Sequence, residues 1–281
     1  MKSALPLIAL TLCTVSTSDA PRTRLAAGVP ELPAATPVVL DTTYPNRPAG
    51  MRLIGHFDGS VKEVDGRAFG IADFGNWFDH NVPGDIAVVD DRSNPIGSGK
   101  SLRFTYPSND NKAGSANADT FTGGPYRELY VLMRVFLERS GWETFGNKFF
   151  YLGAAKDHRR NTSSPTQFYI DRNGSALRVV LQNGSSEVAL ASYRPPPIGA
   201  GVNPITPGRW LTLEFHFVAE SVPGARNGRA RMWVNGQPAG SNNAVRWFTT
   251  GFDGMQWYAE VNRIPVTSYY RLGELYIAGK K

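Results

Sequence analysis

Tyrosine, glutamine and arginine side chains alternate with other residues in three segments of the chain. The segments are Tyr126-Arg127-Glu128-Leu129-Tyr130, Gln167-Phe168-Tyr169 and Gln256-Trp257-Tyr258. A tyrosine hydroxyl can transfer a proton, and an amide or a guanidinium can hydrogen-bond a carboxylate and stabilise negative charge that develops beside it. β-Elimination from a uronic acid begins with removal of the proton next to the carboxylate, and it needs groups of these kinds. Each segment therefore carries residue types that such a reaction could use.

Neither the histidines nor the single cysteine indicates a metal site. Cys13 lies in an apolar N-terminal run, so the mature chain would contain no thiol and no disulfide. The four histidines, which have no metal-ligand spacing, are His56, His80, His158 and His216. His216 is of separate interest because it shares a predicted strand face with Glu214.

The elements that must position these residues are strands. Residues 128–136 and 210–218 alternate apolar and polar side chains with a period of two, which is typical of half-buried strands. Further strands are predicted at 101–106, 148–153, 167–172, 177–182, 229–234, 255–261 and 270–277. Turn-forming pairs such as Asn173-Gly174, Asn183-Gly184 and Asn235-Gly236 separate them. Many antiparallel strands without helices predict an all-β, two-sheet sandwich or jelly roll.

Length and composition favour one domain with an anionic partner. The 281 residues, 41% of them hydrophobic, can form one sizeable core, which excludes an intrinsically disordered chain. The formal net charge of +6 favours acidic glycans, nucleic acid or anionic lipid. Because the basic residues are scattered and no nucleic-acid motif occurs, we do not expect nucleic-acid binding. We expect a monomer.

The N-terminal region predicts secretion. Residues 1–20 have the features of a signal peptide: Lys2, an apolar run at 4–15 that is too short to span a bilayer, and small residues up to Ala20. A lipid anchor on Cys13 is disfavoured because Leu12 stands where a small residue is needed. Residues 21–50 contain six prolines and predict an extended linker, so 51–281 form the domain. We therefore expect an extracellular or periplasmic protein without a membrane span.

Three passages resemble the concanavalin A-like lectin and glucanase superfamily. They are Pro207-Gly208-Arg209-Trp210 with the alternating strand that follows, Arg231-Met232-Trp233-Val234-Asn235-Gly236, and the last strand at 270–277. The resemblance covers roughly residues 52–279 and implies two bent antiparallel sheets in a jelly roll, with glycan binding across the concave sheet. This fold hosts lectins, hydrolases and lyases, so the resemblance indicates the fold better than the activity.

The three polar segments come in the same order as motifs of jelly-roll alginate lyases, which carry Arg-(Ser/Thr)-Glu-Leu-Arg, Gln-Ile-His and a tyrosine-rich late strand. Carried over by position, the resemblance implies that Gln167 neutralises the substrate carboxylate, Tyr169 is the base in place of histidine, and Tyr258 is the acid. The candidate substrate-binding residues are Tyr126, Glu128, Tyr130, Arg134 and Arg178. Tyr126 and Tyr130 replace both arginines of the first motif.

The resemblance has consequences for metal and for reaction type. Elimination requires no cofactor, but structural calcium is frequent in the superfamily, and Asp58 and Glu274 are the candidate ligands. Laminarinase-like hydrolases carry Glu-x-Asp-x-x-Glu on one strand, whereas Glu63-Val64-Asp65 is followed by Ala68 at the third acid position. Hydrolysis of that kind is therefore not expected.

These observations predict a lyase that acts on an anionic polysaccharide such as alginate, glucuronan or a glycosaminoglycan. A non-catalytic, lectin-like carbohydrate-binding module is the alternative. In both cases we expect the affinity for the polysaccharide to fall as salt screens the charges.

Overall fold

Seventeen strands and one single-turn helix form the regular structure of the residues that the computed structural model describes. These are residues 44–58, 62–64, 68–71, 75–79, 86–96, 99–106, 114–142, 147–153, 166–173, 176–183, 186–192, 205–261 and 266–281. The predicted signal peptide and residues 21–43 of the predicted linker lie outside the described residues. No helix among the described residues has the length and apolar character needed to cross a membrane.

One antiparallel sheet has eight strands. They are β1 (Arg52–Phe57), β5 (Ile86–Asp90), β6 (Lys100–Tyr106), β8 (Glu128–Leu137), β13 (Trp210–Val218), β14 (Gly228–Val234), β15 (Gln237–Val245) and β17 (Ser268–Lys280). Seven of them follow the order β15-β14-β13-β8-β17-β6-β5, and β1 pairs with β17 outside this order. β6 pairs with the first part of β17 and β1 with the last part, so the long closing strand holds both.

The other antiparallel sheet has nine strands. They are β2 (Lys62–Val64), β3 (Ala68–Ile71), β4 (Gly75–Asp79), β7 (Gly114–Tyr126), β9 (Asn147–Gly153), β10 (Thr166–Asn173), β11 (Ala176–Asn183), β12 (Ser186–Ser192) and β16 (Phe252–Val261). Their order is β12-β11-β10-β9-β16-β7-β4-β3-β2. The helix α1 (Arg139–Trp142) follows β8.

The core lies between the two sheets. Phe150 of β9 meets Phe215 of β13 edge to face with ring centroids 5.4 Å apart, and Phe168 of β10 lies 5.2 Å from Phe217 of β13. All four rings are fully buried. Each contributes about 1.5–3 kcal/mol by burial. The alternation predicted in β8 and β13 is confirmed, because one residue in two faces this core and the next lies on the outer face.

A two-residue turn connects β14 to β15 where the sequence predicts one. Asn235 and Gly236 have φ values of 50° and 77°, and they join β14 to β15 with Val234 opposite Gln237. Positive φ at both central positions is what a type I′ hairpin turn requires, and asparagine and glycine tolerate it. Asn173 and Asn183 are instead the last paired residues of β10 and β11, because Asn173 pairs with Ala176 and Asn183 with Ser186.

Several features differ from the sequence-based expectation, because β1 to β5, β7, β12 and β15 are not among the predicted strands. β7 was not predicted because Gly114–Tyr126 is rich in small and polar residues; it forms by pairing with β16 on one side and β4 on the other. A short helix is present at α1, next to the end of β8. Residues 44–50, placed in the linker by their prolines, instead lie against the eight-stranded sheet, so the folded part begins before residue 51.

Candidate functional site

The segment Gln167-Phe168-Tyr169 lies in β10, the third strand from the β12 edge of the nine-stranded sheet. Phe168 and Ile170 are fully buried in the core, so Gln167 and Tyr169 occupy the alternate positions that belong to the outer face. Gln167 pairs with Tyr151 of β9, and Tyr151 pairs in turn with Gln256 of β16. Gln167, Tyr151 and Gln256 thus occupy paired positions on three neighbouring strands.

A β-bulge changes the register beside Tyr169. Phe168 pairs with Phe150, but the next residue, Tyr169, pairs with Lys148, and Phe149 is the extra residue. Phe149 and Phe150 are both fully buried. Two successive inward residues in β9 are the usual result of a bulge, which re-aims the residues that follow. The bulge brings Lys148 opposite Tyr169.

The remaining candidates of this sheet flank that row. Tyr258 lies in β16, two residues after Gln256, and pairs with Asn117 of β7. Arg178 lies in β11 opposite Asp171, next to the core residue Val179. The nine-stranded sheet therefore holds Gln167, Tyr169, Tyr258 and Arg178 together, and it adds Lys148, Tyr151 and Gln256.

The first polar segment is divided between the two sheets. Tyr126 ends β7 and pairs with Phe252 in the nine-stranded sheet, whereas Glu128 begins β8 in the eight-stranded sheet. The chain crosses between the sheets at Arg127. Glu128, Tyr130 and Arg134 therefore lie on the other sheet from Gln167 and Tyr169, and the interpretation of all three segments as strands of one face is corrected.

Tyr130 is a buried hydrogen-bond donor. Its hydroxyl donates to Glu214 Oε2 at 2.6 Å, and Asn46 Nδ2 donates to both oxygens of the same carboxylate at 3.0 and 3.1 Å. Burial, reinforced by the hydrogen bond to Glu214 and its charge, raises the pKa of Tyr130 well above its ordinary value. Tyr130 therefore stays protonated, and its side chain is not exposed to a ligand.

Arg134 is engaged by a second buried carboxylate. Its Nε donates to Glu274 Oε2 at 2.7 Å, while Glu274 Oε1 lies 2.9 Å from His56 Nε2 and accepts a hydrogen bond from Tyr44 at 3.0 Å. Burial acts to raise the pKa of Glu274, but the hydrogen bonds from His56 and Arg134, together with the Arg134 charge, outweigh it and hold that pKa below its ordinary value. Glu274 is therefore an ionised partner of Arg134.

These contacts bear on the predicted calcium ligands. Both Glu274 oxygens already face donors, and the positive charge of Arg134 stands where a cation would bind, so this carboxylate does not fit a calcium ion. Among the residues that the structure describes, no group of three or more histidine, cysteine, aspartate or glutamate residues could hold a metal. Asp58 directly follows β1, and calcium binding there stays a prediction.

Glu128 pairs with His216 at the far end of the same face. His216 Nε2 lies 3.1 Å from Glu128 Oε2. Burial lowers the pKa of His216 below its ordinary value, although the hydrogen bond with Glu128 acts in the opposite direction. The histidine that shares a strand face with Glu214 thus has its own carboxylate partner.

Residues 44–51 cover this polar face of the eight-stranded sheet. The Tyr44 ring stacks on Tyr276 with centroids 3.8 Å apart, Arg47 donates to the Tyr276 hydroxyl at 2.5 Å, and Met51 is buried against Tyr130 and Tyr276. Sequence reasoning missed Tyr44, Asn46 and Glu214 as partners, because each lies far along the chain from the group that it contacts.

The buried Tyr130–Glu214 contact yields a stability prediction. We expect Tyr130→Phe to lower the free energy of unfolding by about 1–3 kcal/mol, because a buried carboxylate loses a donor that water cannot replace. Urea denaturation of the full chain measures this. Tyr269→Phe, whose hydroxyl is hydrogen-bonded to Glu138 in a more exposed position, is the matched control and should lose less. Equal losses in the two variants would contradict a special role for burial.

Two packed antiparallel sheets with these connections define a concanavalin A-like jelly-roll sandwich, and the fold is similar to that of polysaccharide lyases. The alginate lyase Aly36B, solved as a variant in complex with alginate trisaccharide, aligns with a TM-score of 0.52 and 16% identity over 81% of this chain and 99% of that one.

Two further solved structures are also similar. A carbohydrate esterase from the Shiga toxin-encoding bacteriophage phi24B aligns with a TM-score of 0.51 and 13% identity over 83% of this chain and 100% of that one. An endo-β-1,4-glucuronan lyase from the fungus Trichoderma reesei aligns with a TM-score of 0.48 and 13% identity over 73% of this chain and 94% of that one. No protein-family model and no curated protein sequence matches the chain. At these identities the two alignments with TM-scores above 0.5 establish the fold and no more.

Proposed function

We propose that this protein is a secreted lyase that cleaves an anionic, uronic-acid polysaccharide by β-elimination on the outer face of the nine-stranded sheet. The observation that carries the proposal is the register of β16, β9 and β10. This register places Gln167, Tyr151 and Gln256 at paired positions on neighbouring strands, and it pairs Lys148 with Tyr169. The similar alginate lyase, whose complex holds an alginate trisaccharide, supports the choice of substrate class.

Each proposed role follows from the chemistry of the residue type. Gln167 hydrogen-bonds the substrate carboxylate and stabilises the negative charge that develops when the neighbouring C–H bond breaks. Tyr169, as phenolate, takes that proton, and the C–H electron pair forms the new C=C bond. The C–O bond to the leaving sugar breaks, and Tyr258 donates its proton to the departing oxygen. The products are an unsaturated uronate and a chain with a free hydroxyl.

Lys148 is a further candidate for the site, in addition to the catalytic residues that the sequence suggests. A phenolate is required for the abstraction step, and a nearby positive charge favours the ionised form of a tyrosine. In this proposal the Lys148 ammonium group supplies that charge and also attracts the substrate carboxylate. Arg178, on β11, contributes to binding the polyanion.

A continuous absorbance assay tests the proposal. The unsaturated uronate absorbs in the ultraviolet, so the full chain is incubated with alginate, glucuronan and a glycosaminoglycan, and with a neutral glucan as control. We expect absorbance to rise with at least one uronic-acid polymer and not with the glucan. Binding to these polymers without any absorbance gain would replace the lyase by the non-catalytic binding module.

Replacement of Gln167 tests the carboxylate role. We expect Gln167→Ala to lower the elimination rate by about 10²-fold or more, the scale of losing one preorganised donor to a developing oxyanion. Gln237→Ala, which removes an exposed glutamine of β15 in the other sheet, is the control and should retain full activity. A Gln167→Ala enzyme with an unchanged rate would remove Gln167 from the mechanism.

A further inference from the structure

A row of cationic and aromatic side chains crosses the outer face of the eight-stranded sheet. Trp210 pairs with Phe136, Phe136 pairs with Arg271, and Arg271 pairs with Arg103, so the row runs over β13, β8, β17 and β6. All four side chains are half-buried. The row lies on the opposite side of the sandwich from the proposed elimination site.

Arg271 is held in place from several sides. Its Nη1 lies 2.7 Å from Asp91 Oδ2, and its guanidinium carbon lies 4.0 Å from the centre of the Phe136 ring and 5.5 Å from that of Trp210. Asp91 is itself fixed by hydrogen bonds from Ser93 and Ser101. Such a guanidinium keeps a defined orientation before any ligand arrives.

Arg103 pairs directly with Arg271 across β6 and β17, and both side chains are positively charged. Like charges at paired positions of antiparallel strands destabilise a sheet. Within the described part of the chain, Asp91 is the one carboxylate in an ion pair with either arginine. Nε of Arg103, Nε of Arg271 and the hydroxyl of Thr105, two residues along β6 from Arg103, are buried and have no hydrogen-bond partner. Arg271 thus has one carboxylate partner, whereas Arg103, directly beside it, has no ion pair among the described residues.

We propose that Trp210, Phe136, Arg271 and Arg103, the arginine patch, bind a carboxylated saccharide. The two neighbouring guanidinium groups belong to half-buried side chains and are suited to a carboxylate, which accepts several charge-assisted hydrogen bonds. The adjacent Trp210 ring offers an apolar surface to the C–H groups of a pyranose. Binding at this patch needs no elimination chemistry, so it is a second contact with acidic glycan on the other face of the protein.

Nuclear magnetic resonance of the arginine side chains can locate the ligand. The ¹⁵N-labelled full chain is titrated with a tetrasaccharide of glucuronate, and the buried Nε–H signals of Arg103 and Arg271 are followed. We expect both signals to shift in a saturable manner. Arg103→Gln should weaken this binding by at least about tenfold, because it removes charged donors to the carboxylate. Arg229→Gln, which removes an exposed arginine of β14, should leave it unchanged. Unshifted Nε–H signals would overturn the proposal.

Control titrations distinguish a saccharide site at the arginine patch from a general anion site and from the elimination site. A neutral tetrasaccharide should cause no shift, and equal shifts with inorganic phosphate at the same concentration would overturn the saccharide assignment. The titration is repeated in the Tyr169→Phe variant, where elimination is blocked but the patch is intact, so a failed lyase proposal leaves this test unaffected. Because Arg103→Gln removes a like-charge pair, we expect its Tm to be equal or higher; a clearly lower Tm would show that Arg103 already has its counter-charge.

Discussion

Tyr169→Phe is expected to reduce elimination by about 10²–10⁴-fold, the usual contribution of a positioned general base. The change removes only the ionisable hydroxyl from β10 and leaves the ring, so the strand and its bulge beside Phe168 should be preserved. Initial rates on the best uronic-acid polymer give the change in kcat, and calorimetry with an oligosaccharide of the same polymer gives the affinity, which should be nearly unchanged.

The matched control for this variant is Tyr276→Phe, which makes the same chemical change on the other sheet. Tyr276 accepts a hydrogen bond from Arg47 and lies under residues 44–51, away from the nine-stranded sheet. We expect the control to keep its rate. If Tyr169→Phe also keeps full activity, Tyr169 is not the base. Tyr130 does not replace it as the base, because burial and the hydrogen bond to Glu214 raise the pKa of Tyr130 and keep its hydroxyl protonated.

Arg134→Ala is expected to lower the free energy of unfolding by about 3 kcal/mol at neutral pH, because it leaves a buried carboxylate without its counter-charge. We take the lower end of the range for broken buried pairs, since 27% of the Arg134 side chain is exposed, against 5% of Glu274. Urea denaturation of the full chain measures the loss. Arg231→Ala, which removes an exposed arginine of β14, should change stability by no more than about 0.5 kcal/mol.

The same variant has a defined pH dependence. The folded-state pKa of Glu274 is lower than its ordinary value, so its contribution to stability is present above that ordinary value and is lost as the pH falls through the folded-state pKa. Arg134→Ala should therefore lose less stability at acid pH, where Glu274 is protonated in both proteins. A loss that is the same at neutral and acid pH would indicate missing side-chain packing instead of the ion pair.

Part of the fold was determined by local patterns in the sequence. In Glu128–Leu137 and Trp210–Val218 the apolar residues recur at every second position, and only a strand puts such a set on one face. Asn-Gly pairs mark hairpin turns because few other residues adopt positive φ at two successive positions. These signals act over two to ten residues, and they suffice for the all-β class and for most of the strands beside the candidate site.

The tertiary structure decided which strands share a sheet. The sequence gives Tyr126 and Tyr130 the appearance of one polar face, but the chain changes sheets at Arg127, so the two tyrosines lie in different sheets. Lys148 could not be assigned to Tyr169 from the sequence, because the pairing depends on a bulge in β9. Prolines made residues 44–50 look like a linker, although Tyr44 and Asn46 meet Glu274 and Glu214 from far along the chain. Periodicity reports which side of its own strand a residue occupies, whereas neighbours across strands are chosen by backbone pairing and core packing over the whole chain.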